Sequence, residues 1–180
     1  MLKLISTKIL NLFGWQLDIV LPEEKKFVLI GAPHTSNWDF PLAMLAFWTI
    51  DLKIFWVAKI QMFWGPLHYL FTALGGIPID RKKSKGFIEQ IADKFNQTDE
   101  MVLTIAPEGT RKHTDEWKTG FLHIAYAANV PVVPMALDFR TKEFIVMPPV
   151  TLSGDIEADL ALIKQQFPKA MAKYPSNVSG

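Results

Sequence analysis

A histidine followed five positions later by an aspartate, in Pro33-His34-Thr35-Ser36-Asn37-Trp38-Asp39, is the stretch of the 180-residue chain best equipped for chemistry. Imidazole takes and gives a proton near neutral pH. A neighbouring carboxylate can fix its tautomer and stabilise the imidazolium that forms. A second run, Pro107-Glu108-Gly109-Thr110-Arg111, supplies complementary groups. Gly109 permits a positive φ or a close backbone approach to a ligand. Arg111 can grip an anion through two N–H groups, with the Thr110 hydroxyl beside it. Glu108 could accept a ligand hydroxyl or pair with Arg111. Base, orienter and anion clamp together point to acyl or phosphoryl transfer onto a hydroxyl of an anionic acceptor.

Each run also has a plain structural reading. Ser36 and Asp39 stand at the spacing of a capping box, in which Asp39 serves only the helix backbone and His34 is a loop residue. The two readings are compatible, because a histidine just ahead of a helix N-terminus feels its positive end and is kept neutral. Pro107–Arg111 could be a surface turn. Gly75-Gly76-Ile77-Pro78-Ile79-Asp80-Arg81 reads as a turn between elements. In it Arg81 either pairs with Asp80 or adds a second positive charge for an anion. Lys82, Lys83 and Lys85 follow, as a solvated face or as an attraction for an anionic carrier or membrane. Trp38 is expected to pack.

The elements that must position these groups follow from the hydrophobic pattern. Strand-like runs occupy Lys26–Ile30, Ile54–Ala58, Met101–Ala106, Val130–Leu137 and Glu143–Met147, with Asp138–Lys142 able to turn the last two into a hairpin. Helical spacing appears at Phe87, Ile88, Ile91 and Phe95, at Ile156, Leu160, Ile163 and Phe167, and over residues 118–128. Strands alternating with helices predict an α/β fold, a mixed central β-sheet layered with helices, in one domain spanning residues 1–180. Both informative runs follow predicted strands, where sites gather in such folds.

Near the start, Leu2, Ile5, Ile9, Leu12 and Phe13 share one face of an amphipathic helix. That face could lie in a membrane interface or pack on the domain's own core. Hydrophobic residues make up 49% of the chain and aromatics 12%, enough to leave apolar surface for a lipid. No stretch reaches the ~18–20 apolar residues of a spanning helix, and the N-terminus does not read as a signal peptide. The formal net charge of +1 argues against strong nucleic-acid binding. The absence of cysteine rules out disulfides and thiol nucleophiles, and fits a reducing compartment. Gly-x-Ser-x-Gly, Walker and Rossmann signatures are missing. His68, His113 and His123 lack metal-ligand spacing; a metal hydrolase using His34 and Asp39 stays open but needs further ligands that the sequence does not nominate.

These runs, taken in order, resemble the 1-acylglycerol-3-phosphate acyltransferase family, the lysophosphatidate acyltransferase-like enzymes, over residues 28–137. The family's His-x4-Asp motif corresponds to His34 and Asp39. Its glycine-rich turn ending in arginine corresponds to Gly75–Arg81. Its Glu-Gly-Thr-Arg motif is Glu108, Gly109, Thr110 and Arg111, and its proline-bearing strand is Val130–Pro134. Lys118 and Gly120 match a Lys-x-Gly after the third motif. Pro33 replaces an asparagine common before the histidine, and only about 25 residues precede the first strand, as in a short, less typical branch.

The resemblance implies a glycerolipid acyltransferase-like fold. It also implies transfer of a fatty acyl group from acyl-CoA or acyl carrier protein to a lysophospholipid, 1-acyl-glycerol-3-phosphate first among acceptors. Other acceptors, such as glycerol-3-phosphate or a lyso-aminolipid, and thioester or phosphoester hydrolysis stay open. His34 and Asp39 are then the catalytic pair, and Lys59 falls where the family often has a lysine near the reacting carbonyl. Arg81 and Glu108–Arg111 hold the anionic lysolipid acceptor. No cofactor is expected beyond the thioester co-substrate. The implied setting is peripheral, on the inner, cytoplasmic face of a membrane. Phe40, Met44, Phe55, Met62 and Phe63 are candidates for lining an acyl-chain slot, or are plain core.

Overall fold

A computed structural model describes residues 1–79 and 86–178. Arg81, with the rest of residues 80–85, lies outside the described residues. Among these residues seven strands form one sheet: β1 (Gln16–Ile19), β2 (Lys26–Gly31), β3 (Phe55–Lys59), β4 (Gly76–Ile79), β5 (Met101–Ile105), β6 (Val132–Asp138) and β7 (Glu143–Val146). Their order across the sheet is β1-β7-β6-β2-β5-β3-β4. Among the described strands only β6 and β7 run antiparallel, joined by the polar hairpin at 139–142. The central strands β2, β5 and β6 are hydrophobic runs because helices cover both faces.

Among the described residues six α-helices form the layers: α1 (Leu2–Leu12), α2 (Asp39–Thr49), α3 (Pro66–Ala73), α4 (Phe87–Gln97), α5 (Gly120–Ala128) and α6 (Ile156–Lys164). Helices α4 and α5 bury Ile91, Phe95, Phe121 and Ile124 against one sheet face, with Ile163 of α6. Helices α1 and α2 bury Leu10, Met44 and Phe47 against the other, where Trp56, Phe63 and Phe71 also collect.

Strands β2 and β5 are parallel neighbours, Ile30 pairing with Ile105. The chain leaving β2 crosses by α2 to β3, beyond β5; the chain leaving β5 crosses by α5 to β6, beyond β2. The connections part in opposite directions on opposite faces, which opens a crevice at the carboxyl ends of these two strands. The fold thereby brings the two sequence runs together.

Several expectations need correction. Gly75–Arg81 is not simply a turn, because Gly76–Ile79 pairs with β3 as the edge strand β4. Pro78 is tolerated there, since an edge strand can lack a donor. Gly75 itself does turn the chain: its φ is +82°, and a Cβ would stand 2.2 Å from the Ile54 carbonyl oxygen. Strand β1 and helix α3 were not expected. In α1, the face carrying Leu2, Ile5 and Leu12 is exposed, which removes only the core-packing alternative for it; the helix is buried through Ser6 and Leu10.

Candidate active site

Strand β2 ends at Gly31, and residues 32–38 form a loop that delivers His34 just ahead of α2. Asp39 opens that helix. Its Oδ2 accepts the backbone N–H groups of Thr35 and Ser36, each at 2.9 Å, and lies 2.9 Å from His34 Nδ1. One carboxylate oxygen therefore folds the loop and fixes the imidazole. The carboxylate half of the capping box forms, while Ser36 Oγ accepts from Trp38 N–H rather than from Asp39 N–H. The helix N-terminus favours the negative charge of Asp39.

With Nδ1 engaged, His34 presents Nε2, which has no protein partner among the described residues. The side chain is 23% exposed, and that of Asp39 10%. The ring is thus held from behind and reachable from one side.

The second run leaves β5 alongside. Gly109 adopts φ +61°, the left-handed turn its residue type permits. Lys118 N–H closes the base of the loop on the Pro107 carbonyl at 2.8 Å. Glu108 Oε1 accepts the backbone N–H of His34 at 2.9 Å. Among the described residues it makes no ion pair with Arg111, so the first motif takes the role the sequence offered to the arginine. Glu108 Oε2 and Asp39 Oδ1 are both buried without a partner among the described residues. Burial pushes the Glu108 carboxyl above the usual carboxylate range, against the opposing pull of the His34 N–H.

Two recesses adjoin the pair. A small cavity of about 10 Å³ is bordered by His34, Thr35, Glu108, Trp117 and Asn177. An open cleft of about 250 Å³ lies between Arg111 and residues Thr35–Trp38, with Tyr174 on its rim. Arg111 thus faces the loop that carries the histidine, an arrangement suited to an anion beside a hydroxyl. Trp38 does not pack inward; it is largely exposed, with Lys173 Nζ 5.2 Å above its ring.

The segment 173–178 supplies residues that the sequence did not flag. Tyr174 N–H donates to Thr35 Oγ1 at 3.3 Å, and Asn177 Nδ2 donates to the Arg111 carbonyl at 3.3 Å. This segment ties the two motif loops together from outside.

Lys59 sits at the exposed carboxyl end of β3, two strands from β2 and at the same sheet edge. Two strand spacings amount to about 9–10 Å. Of the residues considered for an acyl slot, Met44 is core, and Phe40 and Phe63 pack on Trp56. Phe55 is half-buried under Lys94, and Met62 is exposed.

A family model described as Acyltransferase matches residues 18–138, the span holding both runs and the strands that carry them. Over 136 residues the chain is 32% identical to a probable 1-acyl-sn-glycerol-3-phosphate acyltransferase of Mycoplasma pneumoniae. That alignment covers 69% of this chain and 50% of the relative, so the chain spans about half the length of the curated relative it matches. The fold is similar to the crystal structure of the 1-acyl-sn-glycerophosphate (LPA) acyltransferase PlsC from Thermotoga maritima. The TM-score is 0.62 at 15% identity, covering 96% of this chain and 79% of the other.

Proposed function

The chain belongs to the acyltransferase family, and from that premise we propose that it moves a fatty acyl group from an acyl thioester to the hydroxyl of a lysophospholipid. The acceptor we propose is 1-acyl-glycerol-3-phosphate, as the printed name of the Mycoplasma relative suggests. The observation that carries the reading is the imidazole held through Nδ1 by Asp39, with Nε2 left for a substrate proton.

In this reading His34 Nε2 takes the proton of the acceptor hydroxyl. The hydroxyl oxygen attacks the thioester carbonyl, a C–O bond forms, and the carbonyl oxygen carries the negative charge. When the C–S bond breaks, the leaving thiolate receives the proton from the imidazolium. Asp39 stabilises that imidazolium while it exists. No acyl-enzyme is required. Lys59 is the proposed donor to the oxyanion, a kind of contact whose loss typically costs ~10²–10³ in rate.

Arg111 and Thr110 hold the acceptor's phosphate in the cleft, with Gly109 allowing close approach. Arg81 remains proposed as a second cation. Glu108 Oε2, buried and without a partner among the described residues, accepts a glycerol hydroxyl. The donor is acyl-CoA or acyl carrier protein. We place the reaction at the inner face of a membrane, where such acceptors reside.

The test is acyl transfer from labelled acyl-CoA and acyl carrier protein to lysophosphatidate, other lysophospholipids and glycerol-3-phosphate. Diacylated product from lysophosphatidate in clear preference to the others is the expected result. Preference for a different acceptor corrects the substrate, and thioester loss without acylated lipid replaces transfer by hydrolysis.

A further inference from the structure

The open cleft beside His34 has a second cation at its rim. Lys173 Nζ lies 5.2 Å from the centroid of the Trp38 ring, 5.7 Å from that of Phe139 and 5.9 Å from that of Tyr174. Trp38 and Tyr174 line the cleft together with Arg111. Aromatic rings gathered around one ammonium are the arrangement by which proteins hold a cationic ligand. Here the chain supplies the cation itself.

The backbone on both sides of the lysine fixes its place. Before it, Phe139 N–H donates to the Met171 carbonyl at 2.9 Å, and Ala172 is buried. After it, Tyr174 N–H donates to Thr35 Oγ1 at 3.3 Å. Lys173 therefore stands between the β6–β7 hairpin, which carries Phe139, and the loop that carries His34. Its side chain is half-buried there.

Packing alone does not call for a lysine at this position. Trp38 is 60% exposed and Tyr174 49%, so neither ring belongs to the core. Methionine would cover them as well, without partly desolvating an ammonium. What lysine adds is charge, and that charge is not spent on a carboxylate. Among the described residues neither Lys173 nor Arg111 forms an ion pair. The neighbouring Asp138 is taken by Arg140 at 2.6 Å. Asp39 and Glu108 each turn a carboxylate oxygen into the protein. Residues 160–180 hold Lys164, Lys169 and Lys173, with no aspartate or glutamate.

We propose that Lys173 is a specificity-determining residue, which fits the cleft to a bare phosphate and turns away headgroups that carry an ammonium. The inference rests on the lysolipid acceptor proposed above. A phosphate monoester bears about −1.5 to −2 charges at neutral pH, and a phosphodiester bears one. The monoester gains more from a rim with two unpaired cations. A choline or ethanolamine group brings a positive charge to rings that already hold one, and like charges at that range repel. One side chain thus attracts the first headgroup and opposes the second, and specificity needs both elements.

The test is equilibrium binding to the full chain, without thioester, of 1-hexanoyl-glycerol-3-phosphate and of 1-hexanoyl-glycerol-3-phosphocholine. Titration calorimetry compares wild type with Lys173→Met and Lys173→Arg, and thermal melting checks that each is folded. The expected result is a wild-type preference for the monoester. Lys173→Met keeps an apolar stem and removes the charge, so it should shrink that preference by about tenfold or more. Lys173→Arg should retain it. An unchanged preference in Lys173→Met overturns the proposal. An equal loss for both ligands also overturns it, because Lys173 is then only a tie between hairpin and loop. A wild type that binds neither ligand, or both equally, does the same. The expected binding pattern without any acyl transfer leaves this inference standing and removes the proposed function.

Discussion

Glu108 accepts the backbone N–H of His34 at 2.9 Å across 74 positions of sequence. The two runs picked out in the sequence are therefore one physical unit: the glutamate of the second run holds the loop of the first. Parallel pairing of β2 with β5 makes this possible, because the two loops leave the sheet side by side.

Asp39 has a positioning role that can be separated from its charge. Asp39→Asn keeps an oxygen for the loop N–H groups but removes the charge that stabilises an imidazolium. We expect kcat to fall by about 10²–10⁴ with little change in KM for either substrate. Steady-state kinetics check this, and a rise in KM with kcat intact would contradict it.

Glu108 gives a pH-dependent stability. Its folded-state value lies above the usual one because burial penalises the ionised form. Such a group contributes stability that is fully present below the unfolded value and is lost as pH rises through the folded value. Relative to Glu108→Gln, the wild type should lose stability as pH rises above the ordinary glutamate value of about 4 and through the raised folded-state value. Urea midpoints for both proteins across that window decide it, and parallel curves would contradict the burial argument.

Gly109→Ala places a Cβ at φ +61°. The left-handed backbone costs an L-residue about 1–2 kcal/mol, and the turn it strains carries both Glu108 and Arg111. We expect a lower melting temperature together with reduced transfer. Unchanged values in both would show that the turn re-forms without strain.

Much of this architecture was legible in the sequence, and the exceptions have physical reasons. Strands β2, β5 and β6 are continuous apolar runs, so their pattern survives any register. Gly76-Ile-Pro-Ile79 looked like a turn because glycine and proline are poor strand formers, and only its edge position makes it a strand. Gln16–Ile19 is too short to show alternation. Helix α3 escaped notice because it is short and buries no residue fully, its half-buried Leu67 and Phe71 being lost among exposed apolar neighbours. His34, Asp39 and Glu108 could be picked out by type and spacing. Tyr174 and Asn177 could not, since nothing local marks a segment that crosses the site only after folding.

Arg111 should govern acceptor binding more than turnover. It faces the His34–Asp39 loop across the open cleft. A charged hydrogen bond is worth about 1.5–3 kcal/mol, so Arg111→Ala should raise the acceptor KM by about ten- to a hundredfold. Arg111→Lys should recover only part, because lysine cannot form the paired contact. Equal effects on acceptors with and without a phosphate would contradict the assignment.

The segment 173–178 should matter to kinetics more than to folding. Its links to the core of the site are Tyr174 N–H to Thr35 and Asn177 to the Arg111 carbonyl. Ending the chain after Ala172 should weaken acceptor binding by about tenfold while leaving the main unfolding transition in place. Wild-type kinetics in the shortened chain would show that these links are incidental.

The central claim is direct transfer with His34 as the base. Single-turnover reactions with labelled acyl donor and lysophosphatidate, wild type beside His34→Ala, test it most directly. The account predicts label passing straight into lipid product, with no labelled protein, and a rate about 10²–10⁴ lower in the variant. Transfer by His34→Ala at the wild-type rate, or acyl label accumulating on the protein, would contradict it.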